Sequence, residues 1–206
     1  DIQAIADQLI SEWIDDGEVD LLNRLCVPLP IYVIADQLGV PRSELTLLKK
    51  WSDASTSRLG RLADEEQQIQ NAKDIVEFQH YFADLIDRMR DHPEDNIISD
   101  LANNTIDEGR LLTKPEALGM IQQILVAGNE TSTNAIAGGV VLLIENAEEQ
   151  AKLRANPDLI PTAVEEILRL ETPTSGMWRR ATQDTEIDGV AIPEGSFLMV
   201  RFAAGN

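Results

Sequence analysis

Apolar residues recur at three- and four-residue spacing along most of the chain, which predicts helices rather than strands. Ile2, Ile5, Leu9 and Trp13 mark one amphipathic helix that ends near Asp16-Gly17. A second starts after Pro28, with Pro30 in its first turn and Gly39 as its stop. Pro41 closes that connection, and Leu45, Leu48 and Trp51 open a third helix. From Asp64 to Arg90 a long amphipathic helix carries Ile69, Ala72, Ile75, Phe78, Phe82, Leu85 and Met89 on its apolar stripe, and His92-Pro93 ends it. A short helix from Ile97 to Leu101 precedes an acidic loop.

Thr113 and Glu116 then stand in capping-box spacing, with Pro115 in the first turn of a helix that meets no breaker until about Asn146. Some 32 residues at ~1.5 Å each give a rod of about 48 Å, against an average helix of ~11–12 residues. It is apolar on most faces between Leu118 and Ile144, so it is expected to run through the centre of the protein. Gly128, Gly138 and Gly139 lie inside it, each costing up to ~1 kcal/mol relative to Ala; such positions gain close packing or room for a ligand. Helices over Ala147–Ala155 and Leu159–Leu170 follow, with Pro173 closing the second. From Trp178 to Arg201 the period becomes that of short strands, punctuated by Asp188-Gly189 and Pro193-Glu194-Gly195. The plan is mainly α, a single domain over residues 1–206, with a small β piece at the C-terminal end.

Composition narrows the partners. With 43% hydrophobic residues the 206-residue chain has enough apolar surface for a core. Its 17 Lys+Arg stand against 36 Asp+Glu, a net charge of −19, which argues against nucleic acid and against an anionic membrane surface. The longest apolar run, Ala135 to Ile144, is half what a membrane span needs. Cys26 is the one cysteine, so no internal disulfide forms, in keeping with a reducing cytoplasm. The start, Asp1-Ile2-Gln3-Ala4, has no basic segment of a leader, and the chain reads as a piece of a longer one.

Three constellations could carry chemistry. Ala127-Gly128-Asn129-Glu130-Thr131-Ser132 puts an acid and hydroxyls beside a glycine on an otherwise apolar helix. Gly128 would open a notch bordered by the hydroxyls; alternatively the hydroxyls bond back to the i−4 carbonyls and Glu130 meets a basic side chain. Glu166 and Arg169 stand at i,i+3 and pair, either as a solvated couple or as part of a site. Arg179-Arg180 opens the first strand, as a surface strand end or as a site for a carboxylate or phosphate. His80 and His92 form no metal-ligand pattern with Cys26, and no Gly-rich phosphate loop or Gly-x-Ser-x-Gly occurs.

The order and spacing of these pieces resemble the cytochrome P-450 haem-thiolate monooxygenases of the soluble bacterial type. Ala127-Gly128-Asn129-Glu130-Thr131-Ser132 is similar to the family's oxygen-binding motif, and Glu166-Ile167-Leu168-Arg169 to its Glu-x-x-Arg. Arg179-Arg180-Ala181-Thr182-Gln183-Asp184 resembles Arg-x-Ala-Thr-x-Asp, and Gly189 to Gly195 resembles Gly-x-x-Ile-Pro-x-Gly. Pro28-Leu29-Pro30 through Leu38-Gly39-Val40-Pro41 is similar to a further family segment. The resemblance implies a central P-450 fragment and haem (iron protoporphyrin IX) as cofactor. It further implies dioxygen and a small organic substrate as reactants, and a ferredoxin-type or flavin redox partner. It assigns Glu130 and Thr131 to proton delivery, Ala127, Gly128 and Thr131 to the haem's oxygen-binding face, and Arg179 to a haem propionate. Glu166 and Arg169 become a structural ion pair, buried in the whole protein. The family's Cys ligand is expected beyond Asn206, and Cys26 lies in the wrong context to replace it. The alternative from a different class is a non-catalytic helical module that binds no haem.

Overall fold

The computed structural model describes residues 1–60, 64–106 and 109–206, which divide into two compact units, Asp1–Thr133 and Asn134–Asn206. Asp107 and Glu108, in the acidic loop, lie outside the described residues.

In the first unit, α1 (Ile2–Ser11) is capped by the Asp1 carboxylate, which accepts from the Gln3 N–H at 3.0 Å, and it buries Ile5 and Leu9. It stops short of the expected Asp16-Gly17, and residues 12–15 are turns. Glu12, Asp15 and Asp16 supply the reason: negative charge at a helix C-terminus opposes the helix dipole. A π-helical turn over Leu22–Cys26 leads into α2 (Pro28–Leu38), where Gly39 at φ 66° forms the left-handed cap. α3 (Leu45–Gly60) and α4 (Glu65–Asp91) follow, α4 capped by Asp64 accepting from the Gln67 N–H at 2.8 Å. The expected apolar stripe of α4 holds from Ile75 onward, but Ile69 and Ala72 are exposed. Asn71 takes the inward place there, donating to Ser57 Oγ at 2.9 Å and accepting from Gln67 at 2.8 Å.

Trp51, Phe78, Tyr81 and Phe82 join α3 to α4 through edge-to-face and tilted rings 4.8 to 5.9 Å apart. Such pairs contribute about 0.5–1.5 kcal/mol each beyond area burial. α5 (Ile97–Asn103) is capped by Asn96 and adds Ile98 and Ala102 to the same core.

α6 (Lys114–Glu145) is the 32-residue helix the sequence predicts. Its start is a full capping box: the Glu116 carboxylate accepts from the Thr113 N–H at 2.9 Å, and the Glu116 N–H faces Thr113 Oγ1 at 3.5 Å. The expectation that it runs buried throughout holds for only part of it. Ala117, Ile121, Leu125, Asn129 and Thr133 are buried, whereas Val141 is 51% and Ile144 68% exposed.

In the second unit, α7 (Ala147–Ala155) and α8 (Ile160–Glu171) are joined by a 3-10 turn over Pro157–Leu159. α8 packs on the end of α6 at two glycines: a Cβ on Gly139 would lie 2.9 Å from Ile167 Cγ2, and one on Gly138 would meet the Glu171 carboxylate. The β piece is two antiparallel pairs: β1 (Gly176–Arg180) with β4 (Phe197–Arg201), and β2 (Thr185–Ile187) with β3 (Val190–Ile192). Asp188 at φ 48° and Gly189 at φ 80° make the tight β2–β3 turn. Among the described residues no helix is long and apolar enough to cross a membrane.

Candidate functional site

On α6 the four-residue row Ala117, Ile121, Leu125, Asn129, Thr133 faces inward. Asn129 is therefore the buried polar group of the motif, and Glu130, about 100° further round, is exposed. The space beside Gly128 differs from the expected notch: its Cβ position lies 3.2 Å from Ile34 Cδ1, so the missing side chain admits α2 rather than opening a notch.

A polar seam ties α6 to α3. Asn129 Nδ2 donates to Ser52 Oγ at 2.9 Å, Gln122 Nε2 to Ser55 Oγ at 3.2 Å, and Thr56 Oγ1 to Glu130 Oε1 at 3.2 Å. Glu130 thus meets a hydroxyl in place of the expected cation. Asn129 Oδ1 is buried without a hydrogen-bond partner among the described residues. Thr131 Oγ1 donates to the Ala127 carbonyl at 2.6 Å, the i−4 back-bond expected of a helical threonine. Thr133 Oγ1 donates to the Cys26 carbonyl at 3.0 Å, and the Cys26 side chain is fully buried. Burial pushes the Cys26 thiol above its ordinary range, so it is an inert core residue rather than a metal ligand. Among the described residues no three His, Cys, Asp or Glu side chains are placed to hold a metal ion.

In the second unit, Glu166 and Arg169 form a two-pronged pair at 2.6 and 2.7 Å with both side chains about half exposed. The Arg169 guanidinium holds the Glu166 carboxyl below its usual range. Among the described residues the pair joins no third charged residue, and Asn206 Nδ2 donates to the Arg169 carbonyl at 3.1 Å. Arg179, exposed on β1, donates from Nη1 to the Trp178 carbonyl at 3.0 Å. Among the described residues the rest of its guanidinium has no hydrogen-bonded acceptor. Arg180, on the next position of the pleat, lies 5.9 Å from the Phe197 ring centroid. The structure thus brings Glu130, Thr131, Ala127 and Gly128 onto two adjacent turns, and sets Glu166–Arg169 and Arg179 on elements of the other unit.

Ser52, Thr56, Asn129 and Thr133 were not expected as members of the site. The signal for the first two was present: Ser52, Ser55 and Thr56 stand at i, i+3, i+4 on α3, a polar row beside Leu48 and Trp51.

Comparison with known proteins gives one answer. The chain is 36% identical over 208 residues to "Putative cytochrome P450 YjiB" of Bacillus subtilis, covering 100% of this chain and 52% of that protein. It is 36% identical over 205 residues to "Cytochrome P450 monooxygenase PikC" of Streptomyces venezuelae, covering 98% of this chain and 48% of that protein. The structure of P450BioI in complex with acyl carrier protein ligated to hexadec-9Z-enoic acid superposes with a TM-score of 0.88 at 32% identity, over 98% of this chain and 52% of that one. The chain therefore spans about half the length of the relatives it matches. The family profile for "Cytochrome P450" matches residues 38–204, and with the shared motifs and fold it establishes that the chain belongs to the cytochrome P450 family.

Proposed function

We propose that this chain is the oxygen-face half of a haem-dependent monooxygenase, which inserts one atom of dioxygen into a small organic substrate with electrons from a ferredoxin-type or flavin partner. On this reading residues 1–206 belong to one catalytic domain of a cytoplasmic enzyme. The observation that carries it is the pairing of an exposed acid, Glu130, with a hydroxyl, Thr131, at the middle of the long α6.

Members of the family bind haem. The residues present fit part of that group's needs. Arg179 keeps most of its planar fork for a carboxylate such as a propionate, a role Lys does not reproduce. Ala127 is a small, exposed residue on that turn of α6, whereas the space beside Gly128 is taken by Ile34 of α2 and is not offered to the haem. Cys26 does not fit as the thiolate that would hold the haem, because its side chain is fully buried in the core.

Bound haem supplies the chemistry of dioxygen activation and oxygen insertion; the chain's own part is proton handling. Thr131 Oγ1 spends its proton on the Ala127 carbonyl in this state and keeps its lone pairs open as acceptors. Rotation of the hydroxyl about the Cβ–Oγ1 bond turns the proton away from that carbonyl and frees it for donation elsewhere. Glu130, in contact with solvent, exchanges protons with bulk water and resupplies that hydroxyl, a general acid–base relay.

The test is Thr131→Ala in the whole, haem-loaded protein, with hexadec-9Z-enoic acid as probe and a surrogate ferredoxin and reductase. Probe binding is expected to persist while peroxide released per nicotinamide oxidised rises. An unchanged peroxide yield contradicts the relay and leaves Thr131 as a helix-packing residue.

A further inference from the structure

Glu130 is a long, exposed side chain whose Oε1 accepts a hydrogen bond at 3.2 Å from a hydroxyl. That contact comes from α3. Ser52, Ser55 and Thr56 occupy one face of α3, and Gln122, Asn129 and Glu130 occupy one face of α6 at i, i+7 and i+8. The three cross-helix hydrogen bonds fix the register of that seam. The Ser52–Asn129 bond is buried and anchors it, while Thr56–Glu130 lies at its solvent end.

We infer that Thr56 is a positioning residue for Glu130: its hydroxyl holds the carboxylate on the α3 side of α6 and so sets the reach of the Glu130–Thr131 relay. The inference rests on the relay reading given above. The hydroxyl has one proton and three acceptors at near-equal distance, namely Glu130 Oε1 at 3.2 Å, the Ser52 carbonyl at 3.1 Å and the Asp53 carbonyl at 3.2 Å. Rotation about one bond hands the proton from the carboxylate to the helix carbonyls without moving α3. The carboxylate is thereby held when the proton faces it and released when the proton turns away, which suits a group that must pick up protons from water and pass them on. The seam also makes Glu130 sensitive to α3, since any slide of α3 along the Ser52–Asn129 anchor displaces Thr56 with it.

The variants are Thr56→Val, which keeps the β-branched shape and removes the donor, and Thr56→Ser, which keeps the donor. Glu130→Gln and the Thr56→Val/Glu130→Gln double variant complete the set. All are made in the whole, haem-loaded protein. Infrared difference spectra between Glu130→Gln and the parent isolate the Glu130 carboxylate band. Thr56→Val is expected to shift that band and Thr56→Ser to leave it in place; a band unmoved by Thr56→Val overturns the placement.

Peroxide released per nicotinamide oxidised, with hexadec-9Z-enoic acid as probe, reads the consequence. Thr56→Val is expected to raise it about two- to tenfold, the range a single hydrogen bond supports. Thr56→Ser should match the parent, and Thr56→Val should add nothing in the Glu130→Gln background. A rise for Glu130→Gln with none for Thr56→Val overturns the inference and leaves the relay standing. No rise for Glu130→Gln overturns the relay itself, and with it the functional part of the inference.

Discussion

Gly138 and Gly139 are neighbours on α6, yet alanine should behave differently at the two. The added Cβ at Gly139 meets Ile167 Cγ2 at 2.9 Å, an atom next to the backbone that has little room to give. At Gly138 it meets the Glu171 side chain from Cγ, at 2.6 Å, to the carboxylate, but that side chain is exposed and can swing aside as a whole. Gly138→Ala should therefore be neutral or stabilising by up to ~1 kcal/mol, the helix-propensity gain. Gly139→Ala should destabilise by about 1–3 kcal/mol through overpacking. Urea unfolding of the two variants decides it, and equal shifts would contradict the close-approach account. The sequence left close packing and room for a ligand both open at these glycines and read a notch at Gly128; the structure has close packing at all three, against Ile34, Glu171 and Ile167, residues far away along the chain. The inward turn of Asn129 was legible, because Ala117, Ile121, Leu125, Asn129 and Thr133 form a strict four-residue row. Attention to the acid in the motif hid it.

At the scale of elements, α6 depends on how it starts. The Glu116 carboxylate is gripped by both terminal nitrogens of Arg110, at 2.8 and 2.9 Å, and by the Thr113 N–H and hydroxyl. Those donors, Arg110 first, hold its pKa down at about 2. The unfolded value is near ~4.3, so the contribution is fully present above that pH and is lost as pH falls toward the folded value. Glu116→Gln should flatten the fall in stability between about pH 4 and 2, read as the urea midpoint against pH. An unaltered acid limb would contradict the box. Thr113→Ala should cost about 0.5–2 kcal/mol. Caps and breakers made most element bounds legible: Gly39 ended α2, and α7 came out as Ala147–Ala155. Where the outcome hung on tertiary partners, spacing was a poorer guide. Ile69 and Ala72 kept the period of α4 but lie exposed while Asn71, bonded to Ser57, turns inward.

The two units differ in how they satisfy their apolar surface. The first has a closed core around Trp51, Phe78 and Phe82. The second leaves Ile160, Val164, Leu168 and Leu170 of α8 exposed. An apolar groove of about 420 Å³ there is lined by Leu142, Leu143, Leu153, Leu159, Ile167 and Leu170. The chain covers about half the length of the relatives it matches, and these apolar faces have no partner among the described residues. Glu166–Arg169, expected buried in the whole protein, is likewise half-exposed here.

On the proposed function, the thiolate that would hold the haem comes from a cysteine other than the buried Cys26. The most direct measurement is the reduced, carbon-monoxide-bound absorption spectrum of the whole protein, alone and with Cys26→Ala. The account predicts the long-wavelength band of thiolate-ligated haem in both. Absence of the band from the whole protein, or its loss on replacing Cys26, would contradict it.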